Sequence, residues 1–222
     1  MIPNPYPGAF FVVEGIDGCG KSEQVGRLFR GISVGIGSTV IRIKEPNKDG
    51  LYGKKIYEDL YKPNGLHVTN PFGFQRWHSC ESKISLRNVV IPALRVGNII
   101  ISDRYRPSMV YGANNEAEIE ELTRINEAIL GEDFIWPDAI FILNVSVEEA
   151  IKRLMKKGRK LDGHEKKKVL YRVQANYRLF ARKYPNCYLI NGNESIECIY
   201  SKISSIVQTV LIPKGLLSGG DE

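Results

Sequence analysis

No C-x-x-C pair occurs in the 222-residue chain, and its 4 cysteines, Cys19, Cys80, Cys187 and Cys198, stand far apart. The 3 histidines are scattered too, so the spacing of a structural zinc site is missing. Free thiols in a reducing compartment are expected instead. The opening MIPNPYPGAF has neither a basic n-region nor an apolar h-region, which excludes a secretory signal there. No apolar run approaches the ~20 residues that a membrane span requires. Internal repeats, long polar tracts and linkers rich in Pro, Gly or Ser are also absent. The expectation is one soluble, cytoplasmic domain over residues 1–222, with a fraying tail rich in Gly in the segment 214–222.

Hydrophobic residues make up 43% of the chain and charged residues 25%, enough apolar material for one sizeable core. The net charge of +6 suits a nucleic acid, an anionic surface or a polyphosphate ligand. Much of that charge lies in Lys152–Lys168, KRLMKKGRKLDGHEKKK, which reads either as a solvated helical surface or as a phosphate-gripping lid.

Short apolar runs alternate with helical patterns. Ala9–Glu14, Thr39–Lys44, Asn98–Ser102, Ala139–Val145 and Asn186–Ile190 read as buried parallel strands. Helices are predicted from Lys21, over Tyr52–Tyr61, Phe74–Arg95, Glu116–Leu130, Glu165–Tyr184 and Ser195–Leu211. A further helix has Ser146 and Glu149 as a capping box and Gly158 as its stop. Alternating β and α predicts a three-layer α/β fold.

Gly15-Ile-Asp-Gly-Cys-Gly-Lys21-Ser22 matches G-x-x-x-x-G-K-[ST] between a strand and a helix. Such P-loops cradle phosphates in backbone N–H groups, helped by the helix N-terminus. Gly15, Asp17, Gly18, Cys19, Gly20, Lys21, Ser22 and Glu23 are therefore the expected ATP-binding residues. Lys21 would reach the β- and γ-phosphates, and Ser22 would ligand Mg²⁺. The helix N-terminus could lower the Cys19 pKa, although a small residue that merely fits is the plainer reading. No N-K-x-D guanine reader is present, since Asn47-Lys48-Asp49-Gly50 lacks its spacing, so a signalling GTPase is a minor alternative. The strand at Asn98–Ser102 runs into Asp103-Arg104-Tyr105. Asp103 at a strand end beside a P-loop is a second Mg²⁺ ligand candidate, and Arg104 offers a planar fork for phosphate oxygens.

These segments resemble thymidylate kinases. The carrying stretches are FVVEGIDGCGKSEQ (Phe11–Gln24), Glu45-Pro46, IPALRVGNIIISDRYRPSMVY (Ile91–Tyr111), the Leu161-Asp162-x-x-Glu165 pattern and Tyr177. The resemblance implies a five-stranded parallel sheet flanked by helices, a basic lid at about 152–168, and often a homodimer. It implies transfer of the ATP γ-phosphoryl to dTMP with Mg²⁺. Asp17 would orient the acceptor, and Arg104 would bridge acceptor and donor phosphates. Tyr105, Ser108, Tyr111 and Glu45 would line the acceptor site, and lid arginines Arg153 and Arg159 would close over ATP. Gly18 marks the subgroup that supplies its catalytic arginine from the lid. Without gaps, the family's base-stacking aromatic falls near Trp77–His78, with Phe74 adjacent, and its arginine falls on Ser82. A gapped alternative puts Phe72 and Arg76 in those roles. Gly112 stands where the family often has glutamine, and Lys44 where it has arginine, which leaves base selectivity open.

The acceptor of such a reaction is an anionic phosphate oxygen, so alignment and charge neutralisation suffice. A deoxynucleoside kinase would instead want a carboxylate base, for which Glu14 and Glu45 are available. A non-enzymatic P-loop module would use the basic segment for nucleic acid, with steep salt dependence, but no recognised nucleic-acid motif accompanies it.

Overall fold

The computed structural model describes residues 2–33, 38–156 and 166–217. Strand β1 (Ile2–Pro3) leads into β2 (Ala9–Glu14), and then follow α1 (Lys21–Ser33) and β3 (Val40–Lys44). Next come α2 (Leu51–Leu60), α3 (Leu66–Thr69), α4 (Pro71–Ser85), a π-helical turn over Leu86–Val90, and α5 (Ile91–Arg95). After β4 (Ile99–Asp103) the chain makes a 3₁₀ segment, Arg106–Gly112, and α6 (Glu116–Leu130). The remainder is β5 (Ile135–Trp136), β6 (Ala139–Asn144), α7 (Val147–Lys156), α8 (Lys167–Lys183), β7 (Cys187–Asn191) and α9 (Ile196–Leu211).

The main sheet is five-stranded and parallel, in the order β3-β4-β2-β6-β7, with β1 and β5 forming a separate two-stranded pair. Sequence decides which strands are central. AFFVVE in β2 and IIISD in β4 are buried at every position, as sheet interiors covered on both faces require. Edge strands β3 and β7 are more open: β3 has only half-buried and exposed residues, and β7 has a single buried one, Ile190. Helices cover both faces, giving the expected three-layer α/β arrangement.

Register positions the site. Val13 pairs with Asp103, and Lys44 pairs with the same Asp103 on its other side. The pairing runs on past the strand ends: Arg104 N–H donates to Val13 O at 3.1 Å and Glu45 N–H to Asp103 O at 3.0 Å. Gly15, Arg104 and Glu45 thus leave the sheet side by side at the strands' C-terminal ends, where ligands of α/β sheets bind.

The long helix predicted over Phe74–Arg95 starts earlier, at Pro71, where Asn70 Oδ1 caps the Gly73 amide at 2.9 Å. Its π turn lies just before Pro92, whose ring cannot donate to the ladder and crowds the preceding turn. Ser146 accepts from Glu149 N–H at 3.4 Å, but Glu149 turns its carboxylate to Arg153 at 2.9 Å, so only half of the capping box forms. The helix predicted from Glu165 begins at Lys167. Gly158, Arg159, Leu161, Asp162, Glu165 and residues 218–222 of the tail lie outside the described residues, whereas Lys214 at the start of the tail donates to Tyr6 O and Gly8 O, both at 3.0 Å. No described helix is long and apolar enough to cross a membrane.

Candidate active site

Between β2 and α1 the loop turns on glycines with φ of +134° at Gly15, +84° at Gly18 and +104° at Gly20. Backbone of that hand is open to glycine and closed to most side chains, and it turns successive amides to one side. A Cβ on Gly18 would lie 2.2 Å from the Ala150 carbonyl oxygen, so the loop rests directly on α7. Lys21 at the start of α1 is buried, and its Nζ donates to the carbonyls of Gly15 and Ile16, both at 3.0 Å. Ser22 Oγ donates to Asp103 Oδ2 at 2.8 Å, which joins the two proposed metal ligands across the sheet. The other oxygen, Asp103 Oδ1, is buried without a partner among the described residues, the state expected of a carboxylate with a position to spare for a hydrated cation.

Arg104 holds φ at +76°, a left-handed conformation unusual for a side-chain-bearing residue. Its guanidinium donates to Asp17 Oδ1 at 2.6 Å, Gly15 O at 3.2 Å and Ser108 Oγ at 3.3 Å, and it lies over the Tyr111 ring at 5.3 Å. Glu14 supports this from below. That fully buried carboxylate accepts the Tyr105 amide at 2.8 Å, Ser108 Oγ at 2.9 Å and Tyr177 Oη at 2.7 Å. Its bond to the residue after Arg104 fixes the strained backbone, and Ser108 relays it to the guanidinium. With those partners Glu14 has little freedom to serve as a general base.

Electrostatics follow from this packing. Burial would raise the Asp17 pKa, but Arg104, Lys21 and the hydrogen bonds from Arg104 and Tyr111 together hold it well below the usual carboxylate range. Asp17 is therefore a standing anion. Glu45 differs: burial pushes it up to about 7, against a hydrogen bond from Ser82 and the charge of Arg106. Ser82 Oγ donates to Glu45 Oε2, while Glu45 Oε1 has no partner among the described residues. Burial also pushes the Cys19 thiol up, against Lys21 and Arg104, so the lowered pKa considered for a helix N-terminus is not found.

Beside Arg104 opens a cavity of about 120 Å³. Asp17, Arg104, Ser108 and Tyr111 form one end of it, and Ile56, Tyr57, Leu60, Gln75 and His78 line it from α2 and α4, with Lys44, Glu45 and Pro46 from the end of β3. Some expected lining residues lie elsewhere. Tyr105 is 1% exposed, donates to Ile135 O at 3.1 Å and packs on Phe10, so it belongs to the core. Phe74, also 1% exposed, packs against His67, Trp77 and His78 because α4 rotates that position inward. Trp77 is half-buried beside Phe74 and is not part of the cavity lining. In the gapped alternative, Phe72 packs on the core and Arg76 is exposed. His78 is the residue of the Trp77–His78 pair that reaches the cavity. Tyr57, Leu60 and Gln75 were not anticipated. For Gln75 the available signal was a polar residue on the buried face of a helix.

On the donor side, Glu23 lies exposed on α1 and pairs with Arg27 at 2.8 Å. Arg153 extends from α7 over the phosphate loop, donating to Cys19 O at 3.4 Å and Gly192 O at 3.5 Å. The second lid arginine, Arg159, falls outside the described residues.

A family model for thymidylate kinase matches residues 13–203. Thymidylate kinase of Thermosipho africanus is 28% identical over 203 residues, covering 90% of this chain and 97% of that protein. Thymidylate kinase of Coprothermobacter proteolyticus is 32% identical over 179 residues, covering 78% of this chain and 86% of that protein. Among solved structures, thymidylate kinase from Candida albicans superimposes with a TM-score of 0.72 at 23% identity, over 91% of this chain and 92% of that one. At that identity the superposition shows the shared fold.

Proposed function

The chain belongs to the thymidylate kinase family, and from that premise we infer that it transfers the γ-phosphoryl group of ATP to dTMP, with Arg104 between the two phosphates. The observation that carries this is the position of Arg104. Its guanidinium touches the phosphate loop at Gly15 and Asp17 and also borders the acceptor cavity. A single planar cation there can neutralise both phosphates as they approach, a contact that strengthens as charge spreads in the transition state.

In the step itself, the bond from the γ-phosphorus to its bridging oxygen breaks and the electron pair leaves with ADP. A new bond forms to an acceptor phosphate oxygen that is already anionic, so no proton is transferred. Lys21 and the loop amides hold the donor phosphates. Asp17, ionised and fixed between Arg104 and Tyr111, positions the acceptor's sugar–phosphate end. Ser108 and Tyr111 wall that end of the cavity. Arg153 covers the loop from the donor side and, with Arg159, excludes water that would hydrolyse ATP. Mg²⁺ would be held by Ser22 and Asp103 and would add positive charge at the phosphates. Residence in the cytoplasm and assembly as a homodimer complete the proposal. Exposed Ile84 and Val89 on the long helix offer apolar surface for a second copy.

Lys21→Ala or Arg104→Ala should lower turnover of dTMP by about a hundredfold or more while the protein stays folded. A coupled assay of ADP release, with circular dichroism as the folding control, measures this. Near-normal rates in a folded Arg104→Ala protein remove the bridging role.

A further inference from the structure

With the acceptor phosphate at Arg104, as proposed above, its base lies at the far end of the same cavity, between α2 and α4. There the structure offers an unusual arrangement. Gln75 is 3% exposed and borders the cavity, yet its carboxamide makes no hydrogen bond among the described residues. An amide that borders a cavity with its donors and acceptor unused by the protein is free to bond a ligand there, and a ligand that shuts out water must supply those bonds. The side chain is steered into place by the lack of one at Gly112. A Cβ there would meet Gln75 Cγ at 2.7 Å and its Cδ and Nε2 at 3.4 Å. On the same helix, Ser82 is spent on Glu45 and Arg76 is exposed, so neither supplies a donor to the base.

We propose that Gln75 reads the base of the acceptor, and that its carboxamide accommodates cytosine as well as thymine nucleotides. A primary amide presents one acceptor and two donors in a plane. In one orientation its oxygen accepts from N3–H of thymine while its NH₂ donates to O4. Turned over, its oxygen accepts from the N4 amine of cytosine while its NH₂ donates to N3. The two orientations have the same shape, so the cavity need not change to admit either base. An arginine at this place would be donor-only and would favour the carbonyl of thymine. A glutamine carries no such bias.

The test is an acceptor panel of dTMP, dCMP and dGMP with saturating ATP and Mg²⁺, run on the wild type, Gln75→Leu and Gly112→Ala. Wild-type kcat/KM for dTMP and dCMP should agree within about tenfold, with dGMP well below both. Gln75→Leu should raise the KM of both pyrimidine nucleotides about tenfold or more, as loss of a bidentate base contact does, and leave the KM for ATP unchanged. Gly112→Ala should act in the same direction by displacing Gln75. Gln75→Met replaces the leucine variant if circular dichroism shows that variant unfolded. Pyrimidine KM values within twofold of wild type in a folded Gln75 variant would overturn the base-reading role. A wild-type preference for dTMP over dCMP of a thousandfold would overturn the dual acceptance while leaving the kinase reading intact. If the wild type turns over no nucleotide, the kinase reading fails. Calorimetric titration of dTMP and dCMP then decides Gln75 separately, and equal affinities in wild type and Gln75→Leu overturn it.

Discussion

Burial of Glu45 at the edge of the cavity beside Arg104 sets a pH dependence that can be measured without substrate. Its carboxyl titrates at about 7 in the folded chain against an ordinary 4.5, with Ser82, Arg106, Glu14 and Glu81 as its electrostatic neighbours. A carboxyl whose pKa is raised by folding holds its proton longer in the native state. Its contribution therefore favours folding below about 4.5 and is lost as pH rises through about 7, by at most about 3 kcal/mol. Glu45→Gln removes that dependence. In metal-free buffer the variant should gain stability relative to wild type between pH 5 and pH 8, read from urea unfolding at each pH. A stability difference that is the same at both pH values contradicts the assignment. Residues such as Glu45 also mark the limit of what could be read from sequence. Lys21, Ser22, Asp103 and Arg104 were legible because phosphate and metal chemistry fixes their spacing within short stretches of chain. Gln75, Tyr57 and the Ser82–Glu45 bond were not, because each depends on how a helix is rotated about its axis. The same rotation sends Phe74 into the core.

Strands were the most legible elements. Runs such as AFFVVE and NIIIS have no polar face to show, so only a position between covered faces accommodates them. Helix ends were less so, since caps depend on tertiary partners: Glu149 prefers Arg153 to the Ser146 amide. The 3₁₀ segment over Arg106–Gly112 and the short β1–β5 pair lacked any periodicity long enough to see. The contact between the phosphate loop and α7 is likewise tertiary, and it yields a comparison of two glycines. A Cβ at Gly18 would strike the Ala150 carbonyl at 2.2 Å, whereas one at Gly20 has Arg153 Nη1 at 3.9 Å as its nearest neighbour. Both sites have positive φ, so both alanine variants carry backbone strain of about 1–3 kcal/mol. Only Gly18→Ala adds a collision between two backbone segments. It should therefore melt lower than Gly20→Ala and show the larger rise in KM for ATP. Equal melting temperatures for the two variants would show that the loop moves off α7 without cost.

Strand order could not be read from the chain, because β2 neighbours β4 and β6 rather than its sequence successor β3. On the proposed function, that order is what makes the molecule a two-site device. It brings Gly15, from the end of β2, to Arg104, from the end of β4, and so sets the phosphate loop and the cavity beside Arg104 end to end across one guanidinium. A net charge of +6 favours anionic ligands at both. Two sites that share a cation predict how a linked ligand behaves. An adenosine and a thymidine joined 5′ to 5′ by a phosphate chain long enough to span both sites should bind more tightly than either nucleotide, by about 10²–10⁴. Its second half binds at the high effective concentration set by the tether, and one loss of translational freedom serves both halves. By mass action the linked compound should also raise the melting temperature more than an equimolar mixture of ADP and dTMP. Shortening the chain until it cannot span should abolish the gain, and Arg104→Ala should reduce it, because the phosphates at the junction lose the cation between them. A linked compound that binds no better than its tighter half, or that is displaced by ADP but not by dTMP, would mean that the cavity beside Arg104 does not receive the second nucleotide.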